Sequence, residues 1–106
     1  MPRLTYPTSL VLVALSRGYR YGFDIIEACG LPSGTVYPIL RRLEDEGLLR
    51  SRWEGVRTAR DEQRPPRRYY QLTASGSRAL GMVLERYPNI AGALDGEPAS
   101  PRPRPA

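Results

Sequence analysis

Ser33, Gly34, Thr35 and Tyr37 open the segment of this chain whose residue types and order point most directly to a chemistry. They precede and begin an amphipathic pattern in which Val36, Ile39, Leu40 and Leu43 recur at helical spacing. The first N–H groups of a helix lack intrahelical acceptors and lie at the positive end of its dipole, so such a start favours an anion. Gly34 has no side chain, which lets a phosphate or a base edge come close. Thr35 can donate to a phosphate or touch a thymine methyl, and Tyr37 can give its hydroxyl to a phosphate or lie along a base. The plainer alternative has Ser33 merely capping the helix and Tyr37 merely packing. Arg41 and Arg42 follow a turn and a half later, one placed to reach phosphate and the other to pair with Asp45 or Glu46.

Charge supports the same chemistry. The chain has 106 residues, 16 basic and 11 acidic, for a net charge of +5, and every basic residue is arginine. Codon usage in a GC-rich genome accounts for most of that preference, although the guanidinium fork also suits phosphates and guanine edges. Location says more. Arg50, Arg52, Arg57, Arg60, Arg64, Arg67 and Arg68 face only Glu54, Asp61 and Glu62 between positions 50 and 70, a local charge of +4. This basic run directly follows the helix with the anion-ready start, so it reads as a nucleic-acid face. Arg64, Arg67 and Arg68 border it where a narrow minor groove would attract them.

Other chemistries are excluded by what is missing. There is no histidine and a single cysteine, Cys29, which leaves no intrachain disulfide, no ordinary zinc site and no Cys–His or Ser–His pair. Cys29 stands beside Gly30 with Asp24 and Glu27 nearby, a setting for a small buried residue rather than an activated thiol. Glu44-Asp45-Glu46 ends a helix as solvated charge does. No phosphate loop is present, so neither an enzyme nor a cofactor is expected.

The elements that must position these residues follow from periodicity. Thr8 to Arg17 is a helix almost without a polar face, stopped by Gly18, and a short second helix runs from Gly22 to Ala28. Ser33 is the expected cap of the third helix, where Pro38, one turn in, forfeits about one backbone bond. Arg50 to Val56 and Arg68 to Leu72 alternate as two strands of an antiparallel hairpin. Its Arg/Pro-rich tip, 57–66, is expected to stay extended and to order only on a target. Trp53 is assigned to packing between hairpin and helix, and one of Tyr69 and Tyr70 must face inward. Thr73 caps a last helix striped by Leu80, Val83, Leu84 and Tyr87. With Leu10 and Val13 of the first helix, that stripe is the expected homodimer contact, because the core is already filled. The tail from Asp95 is proline-rich and expected to be disordered.

Several of these stretches, in this order, resemble one family. Tyr21-Gly22-Phe23-Asp24-Ile25-Ile26, Pro32-Ser33-Gly34-Thr35-Val36-Tyr37-Pro38 and Arg42-Leu43-Glu44-Asp45-Glu46-Gly47-Leu48 are similar to the PadR family of winged-helix transcriptional regulators. The similarity continues through Trp53-Glu54 and Arg67-Arg68-Tyr69-Tyr70-Gln71-Leu72-Thr73 to Gly76, covering roughly residues 8 to 85. The loop before Ser33 is shorter than in many relatives, and the C-terminal region has room for one helix.

The resemblance implies a mainly α, α+β fold. A winged helix-turn-helix of three helices and a two-stranded wing occupies 1–72, followed by a dimerisation helix in 73–94 and the tail in 95–106. It also implies DNA contact by Ser33, Thr35 and Tyr37, a dimeric repressor on double-stranded DNA, and in relatives a small aromatic or hydrophobic effector at the dimer interface. A protein-binding adaptor acting on transcription machinery is the competing reading, against which the concentrated wing charge argues. No apolar run is long enough to span a bilayer, and Leu10 to Leu15 is too short for a secretory signal, so a cytoplasmic location is the default.

Overall fold

Leu10 to Ala14 leave the first helix no polar side to offer solvent, and the rest of the chain closes around it. The computed structural model describes residues 3–94; residues 1–2 and 95–106, which include the expected tail, lie outside the described residues. Helix α1 runs Tyr6–Ser16, starting two residues earlier than periodicity suggests. Thr5 caps it by accepting from the Thr8 N–H at 3.4 Å, and Pro7 sits in the first turn, where its missing N–H goes unnoticed. Thr8 to Ala14 are all buried. The hydroxyls among them are satisfied, Ser9 donating to the Thr5 carbonyl at 2.8 Å and Thr8 accepting from Thr5 at 3.0 Å.

Two further helices pack on α1: α2, Gly22–Cys29, and α3, Ser33–Asp45. Gly18, Gly30 and Gly47 follow the three helices with φ of 96°, 68° and 79°, the left-handed stop that glycine adopts without strain. Ile25 from α2 and Val36, Ile39, Leu40 and Leu43 from α3 enter the core, as the helical spacing predicts. Cys29 is buried beside them. Burial pushes its thiol up to about 11, so it stays protonated at neutral pH.

Strand β1, Leu49–Trp53, pairs antiparallel with β2, Arg68–Leu72, placing Leu49 opposite Leu72 and Trp53 opposite Arg68. Tyr21 adds a bridge to Tyr69, and the Tyr70 N–H donates to the Arg20 carbonyl at 2.9 Å. The loop between α1 and α2 therefore lies along the edge of the hairpin. Periodicity carries the first strand to Val56 and leaves the tip extended, but the structure corrects both. β1 stops at Trp53 because Glu54 turns inward, and the tip winds into a short helix α4, Val56–Asp61, seated on buried Ala59. Pro65 and Pro66 come after α4, where they cannot disturb it.

Helix α5, Ala74–Arg86, begins at Thr73, whose hydroxyl accepts from the Gly76 N–H at 3.0 Å and donates to the Gly47 carbonyl at 2.6 Å. It packs back on α1, and a 3₁₀ turn at Ile90–Ala93 closes the same side with Ile90. This corrects part of the expected dimer contact. Leu10, Val13 and Val83 are 5%, 2% and 0% exposed within a single chain, where α1 packs against α5 and the 3₁₀ turn. Leu80 and Tyr87 are partly buried against the same core, while Leu84 stays 44% exposed. Three helices, a hairpin and a closing helix make a winged helix-turn-helix with one C-terminal helix. None of the described helices is long and apolar enough to cross a membrane.

Candidate nucleic-acid interface

The start of α3 is bare. Pro32, not Ser33, is its cap residue, at φ −63° and ψ 151°, and no side chain caps the helix. Ser33 is therefore the first helical residue and does not play the capping role that its type suggests. The Thr35 and Val36 N–H groups bond to the Pro32 carbonyl at 2.9 and 3.1 Å. Those of Ser33 and Gly34 have no acceptor among the described residues. Ser33 and Gly34 are exposed and Thr35 half-buried. A Cβ on Gly34 would meet nothing within 4 Å, so packing does not require glycine there. Gly22 is the opposite case: a Cβ would come 2.7 Å from the Tyr37 ring. Tyr37 thus rests against the start of α2 yet remains 47% exposed, so packing does not use up its surface.

The arginines divide sharply. Arg41 is exposed, with no ion pair or hydrogen bond among the described residues. Arg42 turns inward to give its Nη2 to the Thr8 hydroxyl of α1, and its buried Nε has no acceptor. It is only partly exposed and does not pair with Asp45 or Glu46. Position on α3 decides this, since Arg42 precedes the fully buried Leu43 and lies over α1.

Arg64 is likewise claimed by the fold. Its guanidinium meets both carboxylate oxygens of Glu54, whose side chain is 2% exposed. Glu54 also accepts from the Arg67 N–H at 3.0 Å. The hydrogen bond from Arg64 holds the Glu54 carboxyl below its ordinary value, and the Arg67 N–H and the two guanidinium charges act in the same direction. Arg68 gives its Nε to Ser51 at 2.9 Å, lies 3.4 Å from Glu44, and stands 5.5 Å over the ring of Trp53. Trp53 is 63% exposed, so it is not the packing residue expected from its size. Tyr70 is the inward tyrosine at 8% exposure. Arg67 has no acceptor for its guanidinium among the described residues; it stacks 4.8 Å above Tyr21.

Tyr37, Arg41, Arg64, Arg67 and Arg68 line one groove between α2, α3 and the hairpin, while Ser33, Gly34 and Thr35 lie beyond its lining. The groove also holds Asp24, Glu27, Glu44, Asp45, Glu54 and Glu62, more acid than base. The lining of this groove is therefore not itself a net cationic surface. Tyr21 and Glu54 are the structural participants that sequence reasoning passes over. The alternation Tyr19-Arg20-Tyr21 is the signal of an extended edge that could have found the first.

Fold and face together define a winged-helix transcriptional regulator. The profile of the PadR-like transcriptional regulator family matches residues 11–82, and the chain belongs to this family. A PadR-family transcription regulator from Clostridium difficile shares 25% identity at a TM-score of 0.68, over 83% of this chain and 93% of its own. A PadR-family regulator from Eggerthella lenta shares 32% at 0.59, over 82% and 79%. BpsR of Bordetella bronchiseptica, whose DNA binding is regulated by 6-hydroxynicotinic acid, has the same fold at 21% identity and a TM-score of 0.64, over 86% and 60%. No curated protein matches the sequence.

Proposed function

We propose that the protein is a dimeric, sequence-specific DNA-binding repressor. The observation that carries this reading is the uncapped, solvent-facing start of α3 beside a hairpin whose Arg67 keeps its guanidinium unpaired. The α3 start enters the major groove, with Ser33, Gly34, Thr35 and Tyr37 nearest the DNA and Arg41 reaching the backbone. Arg67 and Arg68 lie along the adjacent minor groove. Arg42 and Arg64 drop out of the contact set, since Thr8 and Glu54 hold them.

Two copies pair through the exposed flank of α5 around Leu84, with Tyr87 and the edge-on Tyr6 beside it at 5.2 Å. The two-fold arrangement calls for an inverted repeat with half-sites about one helical turn apart. A small hydrophobic or aromatic effector fits this reading as a ligand of the seam between subunits.

Selection from random duplex DNA, followed by salt titration on the winning sequence, tests the proposal. An inverted repeat and an affinity that falls steeply with salt support it. Indifference to every duplex at low ionic strength overturns it.

A further inference from the structure

We infer that Tyr21 and Glu54 are positioning residues for DNA binding, acting together to hold Arg67 at one point on the hairpin before the duplex arrives. This rests on the DNA-binding reading above and deepens it. Glu54 grips the Arg67 peptide from both sides: its N–H donates to the Arg67 carbonyl at 2.8 Å, and its carboxylate accepts from the Arg67 N–H at 3.0 Å. Arg64 holds that carboxylate in place from the tip of the wing. At the other end of the side chain, the guanidinium lies 4.8 Å over the Tyr21 ring. Tyr21 is itself fixed, bridged to Tyr69 through the backbone with its ring 5.0 Å from that of Tyr69.

A ring face under a guanidinium occupies none of its in-plane N–H donors, so the fork stays open to phosphate or to base-edge acceptors. A free arginine loses rotamer freedom on binding, whereas one already held at both ends loses less. Beyond pairing with Arg64, Glu54 thus fixes the backbone from which the Arg67 side chain springs. A carboxylate so near an anionic ligand lowers affinity through space, and Glu54 offsets that by placing the cation.

The sign of that charge makes the test. The full chain is titrated against a fluorescent duplex of mixed sequence, as the parent and as E54Q, Y21L, Y21F and R67A, with each melting curve recorded. Removing a negative charge should tighten binding if electrostatics alone operates. Positioning predicts that E54Q binds several-fold more weakly, about three- to tenfold, with the parent's salt slope, because Arg67 still reaches the DNA in the complex. Y21L, outside the wing, should weaken binding similarly, while Y21F keeps the ring and most of the affinity. R67A should lose both affinity and about one unit of salt slope. If R67A binds like the parent, the assignment of the hairpin to DNA fails. If R67A weakens binding while E54Q and Y21L match or exceed the parent, the positioning role is overturned and the DNA reading stands.

Discussion

One end of this molecule is closed and the other open, and the same residue types behave differently in each. Where α1 packs against α5 and the 3₁₀ turn, Leu10, Val13 and Val83 are buried, and even the hydroxyls of Thr8 and Ser9 are paired inside. Around α3 and the hairpin, Tyr37 and Trp53 are left 47% and 63% exposed, and the N–H groups of Ser33 and Gly34 find no acceptor among the described residues. The inner faces of α3 and the hairpin, Val36, Leu40, Leu43, Leu49 and Tyr70, share one core with α1, so the openness is confined to their outer faces. On those outer faces polar clasps join the elements, Glu54 with Arg64 and Glu44 with Ser51 and Arg68. Arg42 and Arg64 are hydrogen-bonded into the fold, whereas the guanidinium groups of Arg41 and Arg67 find no acceptor among the described residues.

The contrast can be broken most forcefully at the closed end. Leu12→Ala, at a site with no exposure, should cost about 3 kcal/mol in denaturant unfolding while leaving the DNA affinity of the folded fraction unchanged. At the open end the reverse is expected. Arg41→Ala should weaken DNA binding about tenfold, ~1.4 kcal/mol, and shallow the salt slope, with little change in melting. Arg42→Met sharpens the same point, since it should leave the salt slope as it was. If Arg42→Met and Arg41→Ala affect binding alike, the division of roles between these neighbours is wrong.

Leu84→Glu should convert a dimer to a monomer in light scattering without lowering the melting temperature, because the side chain is 44% exposed in one chain. The smallest effect concerns pH. Glu54 has a depressed carboxyl in the folded hairpin, so its contribution to stability is fully present above the ordinary value of 4.5 and lost as pH falls through the lower native one. Fluorescence of Trp53, the residue next to Glu54, should report loosening of the hairpin in that acidic window while far-UV signal from the helices persists. A Trp53 signal flat through it would count against the clasp.

Much of the architecture was legible because it depends on local rules. Val36, Ile39, Leu40 and Leu43 mark the inner face of α3, Gly30 and Gly47 mark helix ends, and Tyr69-Tyr70 marks a strand with one ring turned in. The tip helix was not legible, since Val56 to Asp61 has no apolar repeat and forms around one buried alanine. Of the residues expected to make contact, Thr35, Tyr37, Arg41 and Arg67 are left at least partly exposed by the fold. The type of Ser33 points to a cap role that Pro32 takes instead, and the pairing of Arg64 was hidden because its acidic partner lies ten residues away.

The amino-acid order alone determined the helical faces, the glycine stops, the basic hairpin and the membership these features carry, because periodicity and backbone sterics act over a few residues. Only the tertiary structure decided which arginines remain available. A guanidinium is identical in sequence wherever it stands, and its availability depends on acceptors that the fold brings from α1 to Arg42 and from Glu54 to Arg64. The same holds for the apolar stripe of α5, which was expected to need a second chain. Its Val83 is buried inside one chain, because α1 and α5, from opposite ends of the folded sequence, pack together.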